Sequence, residues 1–364
     1  MSAAGTIRYY AEAIDKIYGE IAPTGNDALG LVHREPVGVV GAIVPWNFPL
    51  MIAAWKLGPA LAAGCSVVLK PAETASLTLL RIAELALEAG LPAGVLNVVM
   101  GEGATVGAAI AESMEVDVLV FTGSGMTGRR LLEASARSNM KRVYLELGGK
   151  SPNIVFADAP DLDEAVKVAA NGIFRNAGQV CIAGSRLLVE RSIHDVFVEK
   201  LAAFTKGMKV GDPLDPETTA GAVNSLAQLE RNLSFVEEAR AAGRSIVTGG
   251  QRILQETGGY FMAPTIVTGV GADDRIVREE VFGPVVTVQP FDTEEEAIAL
   301  ANSTDYGLAA AVWTSNLSRA HRMVRKIKAG LVHVNTYGGS DLTVPLGGVR
   351  QSGNGHDKSL HAFD

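Results

Sequence analysis

The feature of this sequence that most constrains its fold is an alternation of short apolar segments with longer helical ones. Residues 37–44 (VGVVGAIV), 65–70 (CSVVLK) and 116–123 (VDVLVFTG) are apolar along most of their length, not at every second position. Helical patterns over 50–64 and 74–89 lie between them, and a further one over 128–138 follows. Strands that are apolar on both faces are typical of a parallel sheet covered by helices on each side, so the pattern predicts an α/β fold.

The same alternation restarts after Gly149, with helical patterns over 162–174 and 294–301 and a strand-rich stretch over 258–290. A chain of 364 residues is long enough for two or three domains of roughly 150 residues. The restart therefore indicates a second α/β domain.

The beginning of the chain differs from the rest. Residues 7–17 predict an amphipathic helix, with Ile7, Tyr10, Ala11 and Ile14 on one face. Residues 18–36 lack this period, and we expect them to form an exposed arm.

Residues 36–55 carry no charge and are long enough to span a membrane. Pro45 and Pro49 interrupt the stretch, however, and its first half is rich in valine while its second half is helical. A buried strand, a turn and a buried helix explain this pattern better than a membrane span.

The net charge of -8 argues against a nucleic-acid partner, because phosphate binding requires clustered Lys and Arg. The two cysteines, Cys65 and Cys181, provide no disulfide framework, which favours a cytoplasmic location. The six histidines show no metal-binding spacing, so we expect no metal site.

A G-x-G-x-x-G spacing, at Gly123, Gly125 and Gly128, lies between a predicted strand and a predicted helix. Such glycines let the backbone approach a pyrophosphate at the helix N-terminus, although a plain glycine-rich turn has the same pattern. A dinucleotide site also needs an acid to hold a ribose. Glu146, about 20 residues further on, and Glu73, three residues after Lys70, are both candidates, and the pattern does not choose between them.

The segment VPWNFPL (44–50) is a turn between strand and helix that is bracketed by prolines. Asn47 in this turn is a candidate oxyanion donor, although capping the helix is the commoner role of such a residue. Phe48, Met51 and Trp55 then share one helical face, which suits either core packing or an aromatic-lined substrate channel.

Cys181 lies in GQVC between Gly178 and Gly184, and it is either a nucleophile or a buried small side chain. Glu146 in LELGGKSP is a candidate general base or a paired acid at the end of a strand. The glycine-rich stretch 335–348 has the composition of a loop at the lip of a binding site.

Together these segments resemble the NAD(P)-dependent aldehyde dehydrogenase superfamily. The motifs PWNFP, KPAE, FTGS, LELGGKSP, GQVC, EEVFGPV and PLGG stand in the family's order and spacing, from about residue 35 onward. RYYAEAIDKIYGEIAPTG near the start and SGNGHDKSLHAFD near the end resemble the enzymes that oxidise γ-glutamyl-γ-aminobutyraldehyde and related ω-amino aldehydes.

The resemblance implies a role for each candidate residue. Cys181 takes the place of the nucleophile, Asn47 that of the oxyanion donor and Glu146 that of the general base. The substrate channel would contain Phe48, Met51, Trp55 and, in the lip, Asp341, which would attract an amine-bearing substrate. The implied cofactor-binding residues are Val44, Pro45, Trp46, Lys70, Glu73, Gly123, Ser124, Gly128, Leu147, Glu280 and Phe282.

The resemblance also implies a domain organisation. Residues 1–17 and 37–148 would form a Rossmann-type NAD-binding domain, 18–36 an oligomerisation arm, and 149–351 the catalytic domain, followed by a short tail over 352–364. A glutamate at position 73 that grips a free ribose hydroxyl favours NAD over NADP. The expected partners are a small aldehyde and further copies of the chain, in a homo-dimer or homo-tetramer, with no nucleic acid and no membrane.

The sequence departs from the family's pattern in four places. Members of the family carry a further segment before the first helix and continue beyond the position of Asp364, Leu346 stands where they usually have Phe, and His356 stands where they usually have Arg. We therefore expect apolar surface and a sheet edge to be uncovered. These departures keep two alternatives open: a non-catalytic relative that only binds cofactor or oligomerises, and an esterase that uses Cys181, Asn47 and Glu146 without cofactor.

Overall fold

A computed structural model describes residues 2–364, which divide into two compact units. The first runs from the start of the described chain to Leu147 and includes residues 340–347 and 353–364. The second contains residues 148–339 and 348–352. Among residues 2–364, no helix combines the length and the apolar character that crossing a bilayer requires.

The first unit is built on a parallel sheet of five strands in the order β5-β4-β3-β6-β7. A separate antiparallel pair, β1 and β2, lies within residues 18–36, and nearly all of these residues are exposed, as expected of an arm. The pairing of two short strands satisfies backbone groups that a bare arm would leave to water. The strands are β1 Glu20–Ala22, β2 Gly30–Val32, β3 Val39–Ile43, β4 Ser66–Lys70, β5 Leu96–Val98, β6 Val118–Thr122 and β7 Arg142–Glu146.

Helices cover this sheet, and two of them were misjudged from the sequence. The first helix begins four residues earlier than predicted, and it buries Thr6, Tyr10 and Ala13 while Ala11 is exposed. The stretch after β5 contains a short π-helix, Gly103–Gly107, that the sequence analysis did not identify. The α-helices are α1 Ala3–Ala13, α2 Pro49–Ala62, α3 Leu77–Glu88, α4 Ala108–Glu112 and α5 Gly125–Arg137.

The uncharged stretch 36–55 forms strand β3, a turn and the start of helix α2, which confirms the prediction made for it. The core of the unit lies between the sheet and its helices. Residues such as Ala42, Ala53 and Leu69 in this core are almost completely buried.

The segment 353–364 closes one side of the first unit. The backbone N–H groups of Asn354 and Gly355 donate to the carbonyl of Leu145, each at 3.1 Å, and Gly353 bridges to Glu146. The ring of Phe363 packs edge-on against the ring of Tyr10, with centroids 5.4 Å apart. The outer edge of strand β7 is therefore partly paired by the end of the described chain.

The second unit is built on a sheet of seven strands in the order β10-β13-β14-β9-β8-β15-β16. All neighbours in it pair in parallel except β10, the antiparallel edge strand. The stretch 258–290 contains β-strands, as predicted, but also one short helix. The strands of the unit are β8 Pro152–Val155, β9 Arg186–Glu190, β10 Ser245–Thr248, β11 Arg252–Ile253, β12 Phe261–Met262, β13 Thr265–Thr268, β14 Val285–Phe291, β15 Ala309–Trp313 and β16 Leu331–Val334.

The helical segments 162–174 and 294–301 have the boundaries that the sequence predicts. In both, an acceptor side chain caps the first turn: Asp161 accepts from the N–H of Glu164, and Thr293 from that of Glu296. The helix over residues 226–241 was not predicted. The helices are α6 Leu162–Phe174, α7 His194–Lys206, α8 Leu226–Ala241, α9 Arg275–Arg278, α10 Glu294–Ala301 and α11 Leu317–Lys326.

Candidate active site

The carboxyl ends of the strands in the first unit meet at one edge of the five-stranded sheet. The chain runs outward from β3 through β4 to β5 and then returns to the other side of β3 with β6 and β7. This reversal creates a topological switch point next to β3, which is where open α/β sheets bind their ligands. The segments that follow β3, β4, β6 and β7 all contain candidate residues from the sequence.

The turn after β3 contains Val44, Pro45, Trp46 and Asn47. Val44 is buried and its N–H donates to the carbonyl of Lys70 at 3.1 Å, while the other three are partly buried. The side-chain oxygen of Asn47 accepts from the N–H of Phe48 at 3.2 Å, and helix α2 has no side-chain cap. A hydrogen bond within the turn therefore orients the amide of Asn47, and this side chain does not cap helix α2.

Phe48, Met51 and Trp55 lie along one side of helix α2, and all three are partly buried. Phe48 and Trp55 contact the core beneath the sheet. Trp55 also lines a cavity of about 530 Å³ within the first unit, together with residues of strands β3 and β6 and of the segment 353–364. Trp55 thus combines core packing with access to a cavity.

Lys70 ends strand β4 and is buried, with its ammonium 2.9 Å from a carboxylate oxygen of Glu73 and 3.1 Å from the carbonyl of Pro71. The Glu73 side chain remains half exposed. Burial acts to raise the pKa of Glu73, but its hydrogen bonds with its own backbone and with Lys70 outweigh burial and lower the pKa. Glu73 is therefore an ionised acceptor at neutral pH.

The glycine-rich turn after β6 leads into helix α5. Ser124 is exposed and caps this helix by accepting from the N–H of Thr127 at 3.3 Å. Gly128 is buried against strand β7, where an added Cβ would lie 2.9 Å from the side chain of Leu147. Gly123 donates its N–H to the carbonyl of Glu146 at 3.0 Å, which ties the turn to the end of β7.

Glu146 is 5% exposed at the end of β7, and its Oε1 atom has no hydrogen-bond partner among the described residues. Burial raises the pKa of Glu146 well above that of an ordinary glutamate. The negative charge of Asp357 adds to this rise, and the positive charge of Lys56 opposes it. A buried carboxyl with a raised pKa is the arrangement that general-base catalysis near neutral pH requires.

Lys56 and Asp357, which the sequence analysis did not identify, form a buried ion pair beside Glu146. The Lys56 ammonium lies 2.7 and 2.8 Å from the two carboxylate oxygens of Asp357, with both side chains at most 6% exposed. One signal was present: Lys56 is the only charged residue in the otherwise apolar sequence of helix α2. A lone charge on a buried helix predicts a buried partner.

In the second unit, Cys181 is partly buried in the loop between helix α6 and strand β9. The backbone before it is irregular, because Asn176 and Ala177 have left-handed φ angles of 53° and 52°. An added Cβ at Gly149 would lie only 2.6 Å from the carbonyl oxygen of Cys181. The position of Cys181 thus depends on close backbone packing. Cys65, by contrast, is 3% exposed in the core of the first unit.

Glu280 contacts Gly149 as well, and Phe282 follows Glu280 two residues later. A carboxylate oxygen of Glu280 accepts from the N–H of Gly149 at 3.0 Å. Although part of Glu280 is accessible to solvent, the dense protein around it raises its pKa to about 7, against the opposing effects of the Gly149 N–H and the Lys150 ammonium. Phe282 has a left-handed φ of 59°, a strained conformation that is frequent at functional sites.

Asp341, the predicted lip residue, is exposed in the first unit. Its carboxylate accepts from the N–H and the hydroxyl of Thr343, and these hydrogen bonds lower its pKa. The buried ammonium of Lys358 donates to the backbone carbonyls of Ser340 and Asp341, both at 3.3 Å. Asp341 is therefore an ionised group on a loop whose backbone carbonyls accept hydrogen bonds from Lys358.

Comparison with known proteins agrees with these observations. The model of the aldehyde dehydrogenase family matches residues 1–364. The NADP/NAD-dependent aldehyde dehydrogenase PuuC of Escherichia coli is 54% identical over 362 residues, which cover 100% of this chain and 72% of that protein.

Two solved structures are similarly close. An indole-3-acetaldehyde dehydrogenase in complex with NAD+ matches with a TM-score of 0.98 and 58% identity, covering 100% of this chain and 73% of that one. A γ-glutamyl-γ-aminobutyraldehyde dehydrogenase from Burkholderia cenocepacia matches with a TM-score of 0.97 and 55% identity, again over 100% and 73%.

These similarities confirm the family, the α/β fold and the class of reaction that the motifs predict, which is the NAD(P)-dependent oxidation of an aldehyde. They support this interpretation over the alternative of a non-catalytic relative. The chain belongs to the aldehyde dehydrogenase family.

Proposed function

We propose that this enzyme oxidises an aldehyde that bears an amino or γ-glutamylamino group to the corresponding carboxylic acid, with NAD as the preferred cofactor. The observation that carries the proposal is the carboxyl edge of the five-stranded sheet, where the Lys70–Glu73 pair, the Ser124 turn and the buried Glu146 lie at the ends of strands β4, β6 and β7. A dinucleotide site and a general base at one sheet edge are what aldehyde oxidation through a thioester requires.

The residues at this edge fit NAD. The ionised, half-exposed Glu73 can accept from the hydroxyls of a ribose, while the negative charge disfavours the phosphate that NADP has there. The N-terminus of helix α5 after Ser124 suits a pyrophosphate. We propose that NAD is held by Val44, Pro45, Trp46, Lys70, Glu73, Gly123, Ser124, Gly128 and Leu147, with Glu280 and Phe282 on the nicotinamide side.

In the proposed mechanism the thiolate of Cys181 attacks the aldehyde carbonyl and forms an S–C bond. The side-chain amide of Asn47 and the backbone N–H of Cys181 donate to the resulting oxyanion. Bound NAD supplies the acceptor for the hydride that leaves this carbon, so that a thioester remains on Cys181. Glu146 then takes a proton from water, the water oxygen bonds to the acyl carbon, and the acid leaves as the C–S bond breaks.

The choice of an amine-bearing substrate rests on Asp341. An exposed carboxylate with a lowered pKa attracts an ammonium group at neutral pH. We place the carbon chain of the substrate along Phe48, Met51 and Trp55. Replacing Asp341 by Asn should raise the KM for an amino aldehyde and leave that for an uncharged aldehyde unchanged; an unchanged KM for both would exclude this role.

We also propose that the first unit is the NAD-binding domain and the second the catalytic domain, in a homo-dimer or homo-tetramer located in the cytoplasm. The arm over 18–36 supports oligomerisation, because its strands expose large apolar side chains, with Ile21 at 74% and Leu31 at 68% exposure. Exposed apolar residues on a short strand pair are typical of a surface that another chain covers.

The first experiment measures NADH or NADPH formation by the purified protein, with γ-aminobutyraldehyde and indole-3-acetaldehyde as substrates and NAD or NADP as the cofactor. We expect turnover that favours the amino aldehyde and NAD. Cys181→Ala should abolish turnover, whereas the control Cys65→Ala, which alters a buried cysteine in the first unit, should retain it. Turnover by Cys181→Ala would overturn the mechanism, and a preference for indole-3-acetaldehyde would overturn the substrate class.

A further inference from the structure

Tyr337 is a buried residue of the second unit whose hydroxyl reaches the loop that contains Cys181. It lies three residues after strand β16 and is 9% exposed. Its hydroxyl donates to the backbone carbonyl of Ile182 at 2.7 Å. Tyr337 thus holds the chain one residue beyond Cys181, although 155 residues separate the two bonded positions in the sequence.

Two glycines make room for the ring of Tyr337. An added Cβ at Gly172, in helix α6, would lie 3.0 Å from the ring, and one at Gly184 would lie 3.2 Å from it. The N–H of Gly184 also donates to the carbonyl of Gly172 at 3.2 Å. The ring therefore sits against α6 and the end of the Cys181 loop at distances that leave it little freedom to shift.

The other side of the loop has its own anchors. The side chains of Asn176 and Gln179 donate to each other's backbone carbonyls, at 3.3 and 3.1 Å. The side-chain oxygen of Gln179 accepts from the N–H of Asn224 at 2.8 Å. Side-chain hydrogen bonds therefore hold the loop both before and after Cys181, and Tyr337 provides one of those that follow it.

We propose that Tyr337 is a positioning residue for the reaction: its hydroxyl, by holding the Ile182 carbonyl, fixes the loop in the conformation from which Cys181 attacks the aldehyde. The inference rests on the proposed function, because it takes Cys181 as the nucleophile. Tyr337 acts on the reaction only through the loop and exchanges no proton with the substrate.

The chemistry of the hydroxyl suits this role. Burial raises the pKa of Tyr337 above that of an ordinary tyrosine, so the group stays protonated and remains a donor over the whole working pH range. The carbonyl of Ile182 is a neutral acceptor, so the bond does not depend on pH. A fixed anchor of this kind reduces the orientations that the nucleophile samples, which is the part of the barrier that positioning lowers.

The test compares Tyr337→Phe with Thr265→Val. The first variant keeps the ring between the two glycines and removes only the hydroxyl. The second removes another buried hydroxyl of the same unit, one that donates to the carbonyl of Ala263 at the same distance of 2.7 Å. Both should lose stability, so the melting temperatures of the two variants allow kinetics to be measured where each is fully folded.

We expect Tyr337→Phe to lower kcat roughly 10- to 100-fold, with the KM values for aldehyde and NAD unchanged. Hydrolysis of p-nitrophenyl acetate without NAD should fall by the same ratio, because it needs Cys181 but not the cofactor. Thr265→Val should keep the kcat of the unmodified enzyme. A wild-type kcat in folded Tyr337→Phe, or an equal loss of kcat in Thr265→Val, would overturn the inference.

A third variant separates this inference from the proposed function. If Cys181→Ala retains NADH formation, the nucleophile has been assigned wrongly, and the role of Tyr337 falls with it. If Cys181→Ala is inactive and Tyr337→Phe loses only the NAD-dependent reaction, the proposed function stands, and Tyr337 acts through the cofactor instead of through the loop.

Discussion

Glu146 and Cys181, the proposed base and nucleophile, are set up by different physical means. Glu146 ends a regular strand, and its distinctive property is electrostatic: a buried carboxyl beside the Lys56–Asp357 pair, with one oxygen that has no hydrogen-bond partner within residues 2–364. Cys181 lies in an irregular loop that follows two left-handed residues, and backbone packing holds that loop.

The difference predicts which kind of substitution impairs each residue. The reactivity of Glu146 should respond to charges that can be changed without moving its backbone. The reactivity of Cys181 should instead respond to added side-chain volume, because even a methyl group on Gly149 would overlap the carbonyl oxygen of Cys181.

The largest effect is expected from Asp357→Asn. The change leaves the buried ammonium of Lys56 unpaired, which should cost about 3–5 kcal/mol of unfolding free energy. It also removes the anion that raises the pKa of Glu146, so the acid limb of kcat should move to lower pH. The control Glu84→Gln alters an exposed ion pair of helix α3 and should change neither quantity. An unmoved acid limb in folded Asp357→Asn would contradict the electrostatic account of Glu146.

Gly149→Ala tests the steric side of the comparison. The new Cβ would lie 2.6 Å from the carbonyl oxygen of Cys181, so the loop must move. We expect a loss of about 1–3 kcal/mol in stability and a fall in kcat, with the pH dependence of kcat unchanged. Gly221→Ala, where no atom of the described part of the chain lies within 4 Å of the added Cβ, is the matched control. Normal kcat in Gly149→Ala would show that the loop tolerates displacement.

Glu280 combines both influences, since it bonds to Gly149 and has a pKa of about 7. If its ionised form holds the nicotinamide side of NAD, protonation below about pH 7 should weaken binding. The KM for NAD should then rise by up to about tenfold for each pH unit below that value. Glu280→Gln should raise this KM at neutral pH and abolish its pH dependence. Steady-state kinetics at varied NAD concentration, from about pH 5.5 to about pH 8.5, measure the KM for NAD of both enzymes on either side of this pKa.

The smallest predicted effect is on the unfolding free energy that the protein loses when the buried carboxyl of Glu146 is ionised. Its pKa is higher in the folded than in the unfolded chain, so the folded protein binds this proton more tightly. The resulting stabilisation is complete at low pH, below the unfolded pKa, and is lost as the pH rises through the folded pKa. Glu146→Gln should therefore be more stable than the unmodified enzyme by about 1 kcal/mol at high pH, with a smaller advantage in acid. Urea denaturation at two pH values measures the difference; an advantage that grows in acid would refute it.

The sequence predicted those elements whose signal is local. The helices over 162–174 and 294–301 begin at capping residues that are followed by an acidic first turn, so a short window of sequence defines where each begins. The first helix was misplaced because its burial is decided by distant residues: Tyr10 packs against Phe363 and donates to the carbonyl of Ser359. Helix α8 escaped notice although Ser225 caps it, because its apolar face is weak beside its many polar residues.

Among the site residues, the sequence by itself determined the candidates: the cysteine between glycines, the asparagine between prolines, and the glutamates that precede glycines. Their chemistry and spacing are local, so motifs preserve them. Only the tertiary structure decided what surrounds each one. The Lys56–Asp357 pair joins positions 301 residues apart, and the anchor from Tyr337 to Ile182 spans 155. Burial and hydrogen bonding depend on which segments the fold brings together, and no short stretch of sequence contains that information.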